Sequence, residues 1–168
     1  PTGDITSIPD DIGSPRLRLI GLDGGEASEG IRLEKGVTSA SVLPESDVVT
    51  SSFLQAASAN SQWTLHVEPN FSSQHPVVLD IDAGDSTSVL HLALDVGHLS
   101  ELELITRVSG SGEWFGFLRT GEIGEGSILN DVVVCLQDGG TLLRVDSIVV
   151  GRDEHVRAGT VSSGSERT

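Results

Sequence analysis

The chain has 168 residues, with 25 acidic side chains against 10 basic ones and a net charge of −15. That is the length of a single domain, and its charge argues against nucleic acid and anionic membrane as partners, since both need a basic face. Two Trp, four Phe and no Tyr leave Val, Leu and Ile to build the core, a composition suited to strands. The lone cysteine, Cys135, permits no intramolecular disulfide. No apolar run reaches the roughly 18 residues of a membrane span, and no signal-peptide pattern opens the chain. These features read as a soluble, cytoplasmic protein whose start, Pro1-Thr2, fits removal of an initiator methionine.

Residues 1–14 are polar and turn-rich and are expected to form a mobile tail. From Arg16 to Leu22, Leu17 and Leu19 alternate with Arg16 and Arg18, the pattern of a first strand. Asp23-Gly24-Gly25-Glu26 is a turn. Alternation resumes over 30–42. Between Asp47 and Ser58, Val49, Phe53, Leu54 and Ala57 recur at spacings of three and four, which predicts one short helix capped by Ser46 or Asp47. Strand follows strand from there: Gln62–Val67, Pro76–Asp82, Thr87–Val96, Leu99–Val108 with Ile105 out of phase as at a bulge, Glu113–Ile123, Gly126–Leu136 and Thr141–Val150. Residues 161–168 are expected to fray, leaving one domain over 15–160.

Acidic, Gly-rich turns lead repeatedly into short apolar runs. Ala83-Gly84-Asp85 precedes Val89 and Leu90, Gly124-Glu125-Gly126 precedes Ile128 and Leu129, Asp138-Gly139-Gly140 precedes Leu142 and Leu143, and Gly151-Arg152-Asp153-Glu154 precedes Val156. Such a unit cannot bury its apolar side alone, so copies must stack. The fold predicted is all-β: a right-handed parallel β-helix, or solenoid, with at most one short helix in its N-terminal third. A sandwich or barrel is the competitor.

Glu68-Pro69-Asn70, the run His75–Asp85, Arg107–Gly112, Asn130-Asp131-Val132-Val133-Val134 and Gly139-Gly140-Thr141-Leu142 resemble the core of the SufB/SufD family, scaffold proteins of iron–sulfur cluster assembly. The similarity covers about Leu65 to Gly159. It implies a β-helix that forms a homodimer or pairs with a paralogous scaffold, and an iron–sulfur cluster or iron held only transiently. In the family an ABC-type ATPase docks on a C-terminal helical segment that has no counterpart here. Alternatives are a β-helical metallochaperone of the urease type and a carbohydrate-active or carbohydrate-binding β-helix, the last requiring stacked carboxylates on neighbouring coils.

Cys135 is the candidate cluster ligand, since clusters are held by thiolates, normally with four protein ligands. One thiol would need a partner chain. At the end of Val132-Val133-Val134 it also reads as a buried core residue. His66 and His91 are candidate metal ligands: parity puts both on polar faces, where successive coils would stack them. Asp80, Asp82 and Asp85 lack the full pattern of a Ca²⁺ loop, and there is no G-x-S-x-G elbow or P-loop. No catalytic constellation is found. Phe115 and Phe117 share one strand face while Trp114 takes the other, where it reads either as a partner contact or as buried at a coil edge.

Overall fold

A computed structural model describes residues 11–36 and 48–163. They form β1 (Arg16–Gly21), β2 (Ile31–Lys35), α1 (Val48–Ala57), β3 (Gln62–Val67), β4 (Val77–Asp82), β5 (Ser88–Val96), β6 (Glu101–Gly110), β7 (Trp114–Ile123), β8 (Ile128–Gln137), β9 (Thr141–Val149) and β10 (His155–Ser162). The proposed helix caps, Ser46 and Asp47, and the alternation beyond Gly36 lie outside the described residues.

The strands form two sheets, and from β3 onward they enter them alternately. One runs β2-β3-β5-β7-β9 and the other β1-β4-β6-β8-β10. From β3 onward every pairing is parallel, so the chain winds as a solenoid of about four coils. One coil advances 27 residues: Arg107 stands beside Asp80, and Arg119 beside Asp146. The first coil is two residues longer, with a step of 29 between His66 and Asp95. β1 and β2 pair antiparallel with β4 and β3 and so close the N-terminal end.

The turns that read as one repeat belong to two different corners. Those at Ala83 and Asp138 lead into the first sheet, and those at Gly124 and Gly151 into the second. At this second corner one residue per coil is left-handed: Asn70 (φ 61°), Leu99 (54°), Gly126 (72°) and Asp153 (64°). Gly, and after it Asn and Asp, take this conformation at least cost, so Leu99 is strained there. Buried Ser100 and Ser127 bind consecutive coils at this corner, donating to the carbonyls of Glu68 (2.9 Å) and Gly97 (2.8 Å).

Alternation decides what each strand buries. Leu90, Leu92 and Leu94 of β5, Phe115 and Phe117 of β7, and Leu129, Val133 and Cys135 of β8 face inward and form the core between the sheets. The two phenylalanines stack at 5.8 Å. Outside the first sheet, α1 seats Leu54 on Val89 and Leu118. Trp114 meets Phe53 of this helix edge-on at 6.2 Å, so the helix covers part of its ring.

Three expectations change. β10 continues through Ser162, pairing Val161 with Val134 and Ser162 with Cys135, because a parallel partner satisfies the backbone of residues expected to fray. Gly13, placed in the tail, bridges Ser88. Ile105 marks no bulge: β6 keeps unbroken register with β8, and Ile105 merely faces outward.

Candidate functional site

The predicted site residues do not come together. Cys135 is fully buried, in an inward column between Val108 below and Ser162 above. It packs as a core side chain, one coil in from the C-terminal end.

His66 and His91 do not stack. The ladder sets His66 opposite Asp95, and His91 opposite Gln62. The histidines are 25 residues apart, which matches neither the 29-residue step of the first coil nor the 27-residue step of the others, so the ladder cannot set one above the other. His66 holds Asp95 through Nδ1 at 2.8 Å, and its Nε2 lies 3.3 Å from a carboxylate oxygen of Glu34. His91 is on the outer side of β5, but α1 packs over this part of the sheet and leaves the ring 1% exposed. Its Nε2 is 2.9 Å from the Thr120 hydroxyl and its Nδ1 has no partner. Burial pushes its pKa from 6.5 down to about 4, so the ring is neutral at pH 7 and its proton belongs on Nε2, donating to Thr120.

Asp80 and Asp82 are engaged by arginines. Asp80 accepts from Arg107 at 2.9 Å and Arg18 at 2.6 Å, and Asp82 accepts from Arg16 at 2.6 Å. The Arg107 hydrogen bond is the main reason the Asp80 carboxyl lies below its ordinary range. These pairs tie β1 across the capped end. Asp95 and Glu122 stand opposite one another on neighbouring coils, a stacked carboxylate pair that the sequence reading had not found, although Asp95 is taken by His66. Among the described residues no group of three or more His, Cys, Asp or Glu side chains is arranged to hold a metal ion.

A different cluster gathers where the third coil meets the fourth. Inward positions of the first sheet run Trp63, Leu92, Arg119, Asp146 from coil to coil, and those of the second run Val77, Leu104, Asp131, Ala158. Both columns begin apolar and turn charged. The Arg119 guanidinium is completely buried, donating to Asp131 at 2.6 Å across the interior and to Asp146 at 2.8 Å on the next coil. Arg144 also holds Asp146 and reaches Thr160 of β10 at 2.8 Å. Burial by itself would raise the Asp146 carboxyl; the Arg119 hydrogen bond and charge outweigh it and leave the pKa below its usual value. Burial opposes the charge on Arg119 as well, yet its two carboxylate partners hold its pKa above the ordinary value. Arg119 Nη1 and Asp131 Oδ1 are buried without a partner among the described residues. Parity was the missed signal: Arg119 is in phase with Phe115 and Phe117, and Asp131 with Leu129 and Val133.

Behind this cluster lies the last coil. Among the described residues no further strand pairs with β9 or β10 on their far side, and Val149, Val150 and Val161 are 43%, 45% and 56% exposed. The arrangement offers two parallel strand edges backed by a fixed polar interior. Compared with known proteins, the chain matches no family model, no curated protein and no solved structure.

Proposed function

We propose that this protein is a non-catalytic scaffold subunit that joins a second β-solenoid, a copy of itself or a paralogue, end to end through its fourth coil, in iron–sulfur assembly of the SufB/SufD kind. The observation that carries the reading is the inequality of the two ends. The first coil is closed by antiparallel β1 and β2, whereas β9 and β10 present strand edges and exposed valines. Such edges are templates for strand addition. The Arg119–Asp131–Asp146 network behind them fixes the register of the last coil, a role in which buried ion pairs give specificity more than stability. Iron or a cluster is then cargo at the joined end, and Cys135 lies one coil beneath it, paired to Ser162.

The test is co-expression of the tagged chain with the host's cluster-assembly proteins, followed by pull-down and light scattering. The expected result is a defined complex with a second solenoid subunit, lost in a Val149→Lys, Val150→Lys double variant, since lysines on an edge block strand pairing. A folded chain that captures no such subunit, or a complex indifferent to the edge lysines, refutes the reading.

A further inference from the structure

The two outer sheet faces are treated differently. The first sheet is covered by α1, whereas nothing among the described residues covers the second. Its strand β8, between β6 and the edge strand β10, turns Ile128, Asn130, Val132, Val134 and Leu136 outward, four of the five apolar. Val132 is 39% and Leu136 50% exposed. Beside this stripe, β6 turns out Ile105 and β10 turns out Val161. An uncovered apolar stripe on a strongly charged protein marks an association surface.

Charge identifies the occupant. On one side of β8, β6 presents Glu101 and Glu103; on the other, β10 presents His155 and Arg157. The register is level across the three strands: Glu101, Ile128 and His155 form one row, and Glu103, Asn130 and Arg157 the next. Within one chain these rows keep acid and base roughly 10 Å apart, two strand spacings, and neither glutamate nor Arg157 has an ion pair among the described residues. A two-fold axis along β8 exchanges the flanks. It lays β8 on the β8 of a second copy, and each Glu103 meets the other copy's Arg157 while each Glu101 meets the other's His155. An isologous interface needs a patch complementary to itself in this way. The outward charges of the second sheet also balance, Asp80, Asp82, Glu101 and Glu103 against Arg16, Arg18, Arg107 and Arg157, whereas the whole chain carries −15, so this face escapes the repulsion between copies that acts elsewhere.

We infer that the protein forms a symmetric homodimer in which the outer faces of the second sheet pack together about β8. Stacked sheets sit about 10 Å apart with interdigitated side chains, and the apolar stripe supplies the centre while the charged rows supply the rim. This interface is separate from the fourth-coil edge and does not depend on the end-to-end reading.

The experiment is sedimentation equilibrium of the purified full chain at several concentrations. The expected mass is twice the 17.6 kDa of the monomer. Val132→Asp places a charge at the centre and is expected to raise the dissociation constant at least about tenfold, or about 1.4 kcal/mol, with circular dichroism unchanged. Glu103→Arg alone and Arg157→Glu alone each weaken the dimer by several-fold, and the double variant recovers it, because the swap restores both cross-pairs. The Val149→Lys, Val150→Lys variant leaves this dimer intact, which separates it from pairing through the coil edge. A monomer at every concentration, a dimer that survives Val132→Asp, or a charge swap without recovery overturns the inference.

Discussion

Acidification should destabilise this fold not only through its arginine-paired carboxylates but also through one buried side chain, His91. The ring is 1% exposed on the outer side of β5 beneath α1, with a single hydrogen bond, to Thr120. Burial depresses its pKa from 6.5 to about 4. The unfolded chain therefore takes up a proton below pH 6.5 that the folded chain refuses until about pH 4. Stability from this residue is complete above pH 6.5 and is lost as the pH falls through that window. At about 1.4 kcal/mol per pH unit, the full span amounts to about 3 kcal/mol, a large share of a typical domain's stability. The assay is urea unfolding followed by far-ultraviolet circular dichroism at pH 7, 6, 5 and 4, for the native chain and for His91→Leu. The variant leaves the Thr120 hydroxyl without its partner, a cost of about 1 kcal/mol that does not change with pH. Carboxylates titrate alike in both chains, so the difference isolates His91. The native chain is expected to lose about 3 kcal/mol more than the variant between pH 7 and pH 4. Parallel pH profiles would refute the reasoning.

Asp131→Ala leaves the buried Arg119 guanidinium only Asp146, which Arg144 shares, so one buried positive charge goes uncompensated and the change should cost about 3 kcal/mol, whereas the double change Arg119→Met, Asp131→Leu should cost less than that single change; the midpoints of urea unfolding decide it. Leu99→Asn relieves a left-handed leucine at an exposed corner and should stabilise by about 1 kcal/mol, read as a higher melting temperature. Cys135, with no exposed surface, should react with a thiol reagent only as fast as the chain opens, and at once in denaturant; rapid labelling of the folded chain would contradict its place in the core.

Much of the fold was legible in the residues. Strict alternation in Arg16–Leu19 and Glu101–Leu104 tells which side of each strand is apolar, since side chains of a strand point alternately to its two faces. Spacings of three and four did the same for α1. The recurrent Gly turns required copies to stack, and the parallel solenoid answers that requirement. The two interleaved corners were not legible, because both use Gly and acidic residues, and only the ladder separates Gly124-Glu125-Gly126 from Asp138-Gly139-Gly140.

Sequence by itself determined an apolar, β-branched and Leu-rich scaffold of stacked strands and an acidic chain, because each follows from composition and from a local period, while it left Cys135 between a cluster ligand and a core residue until the fold buried it. The tertiary structure alone decided which residues meet. Register set His66 against Asp95 and kept it from His91, brought Arg119 to Asp131 across the interior, and placed Glu103 and Arg157 on either side of β8. Such contacts join residues 12 or more positions apart, and a single shift of register would turn every side chain of a strand to the other face; the pairing of whole coils fixes them, and no local pattern carries that information.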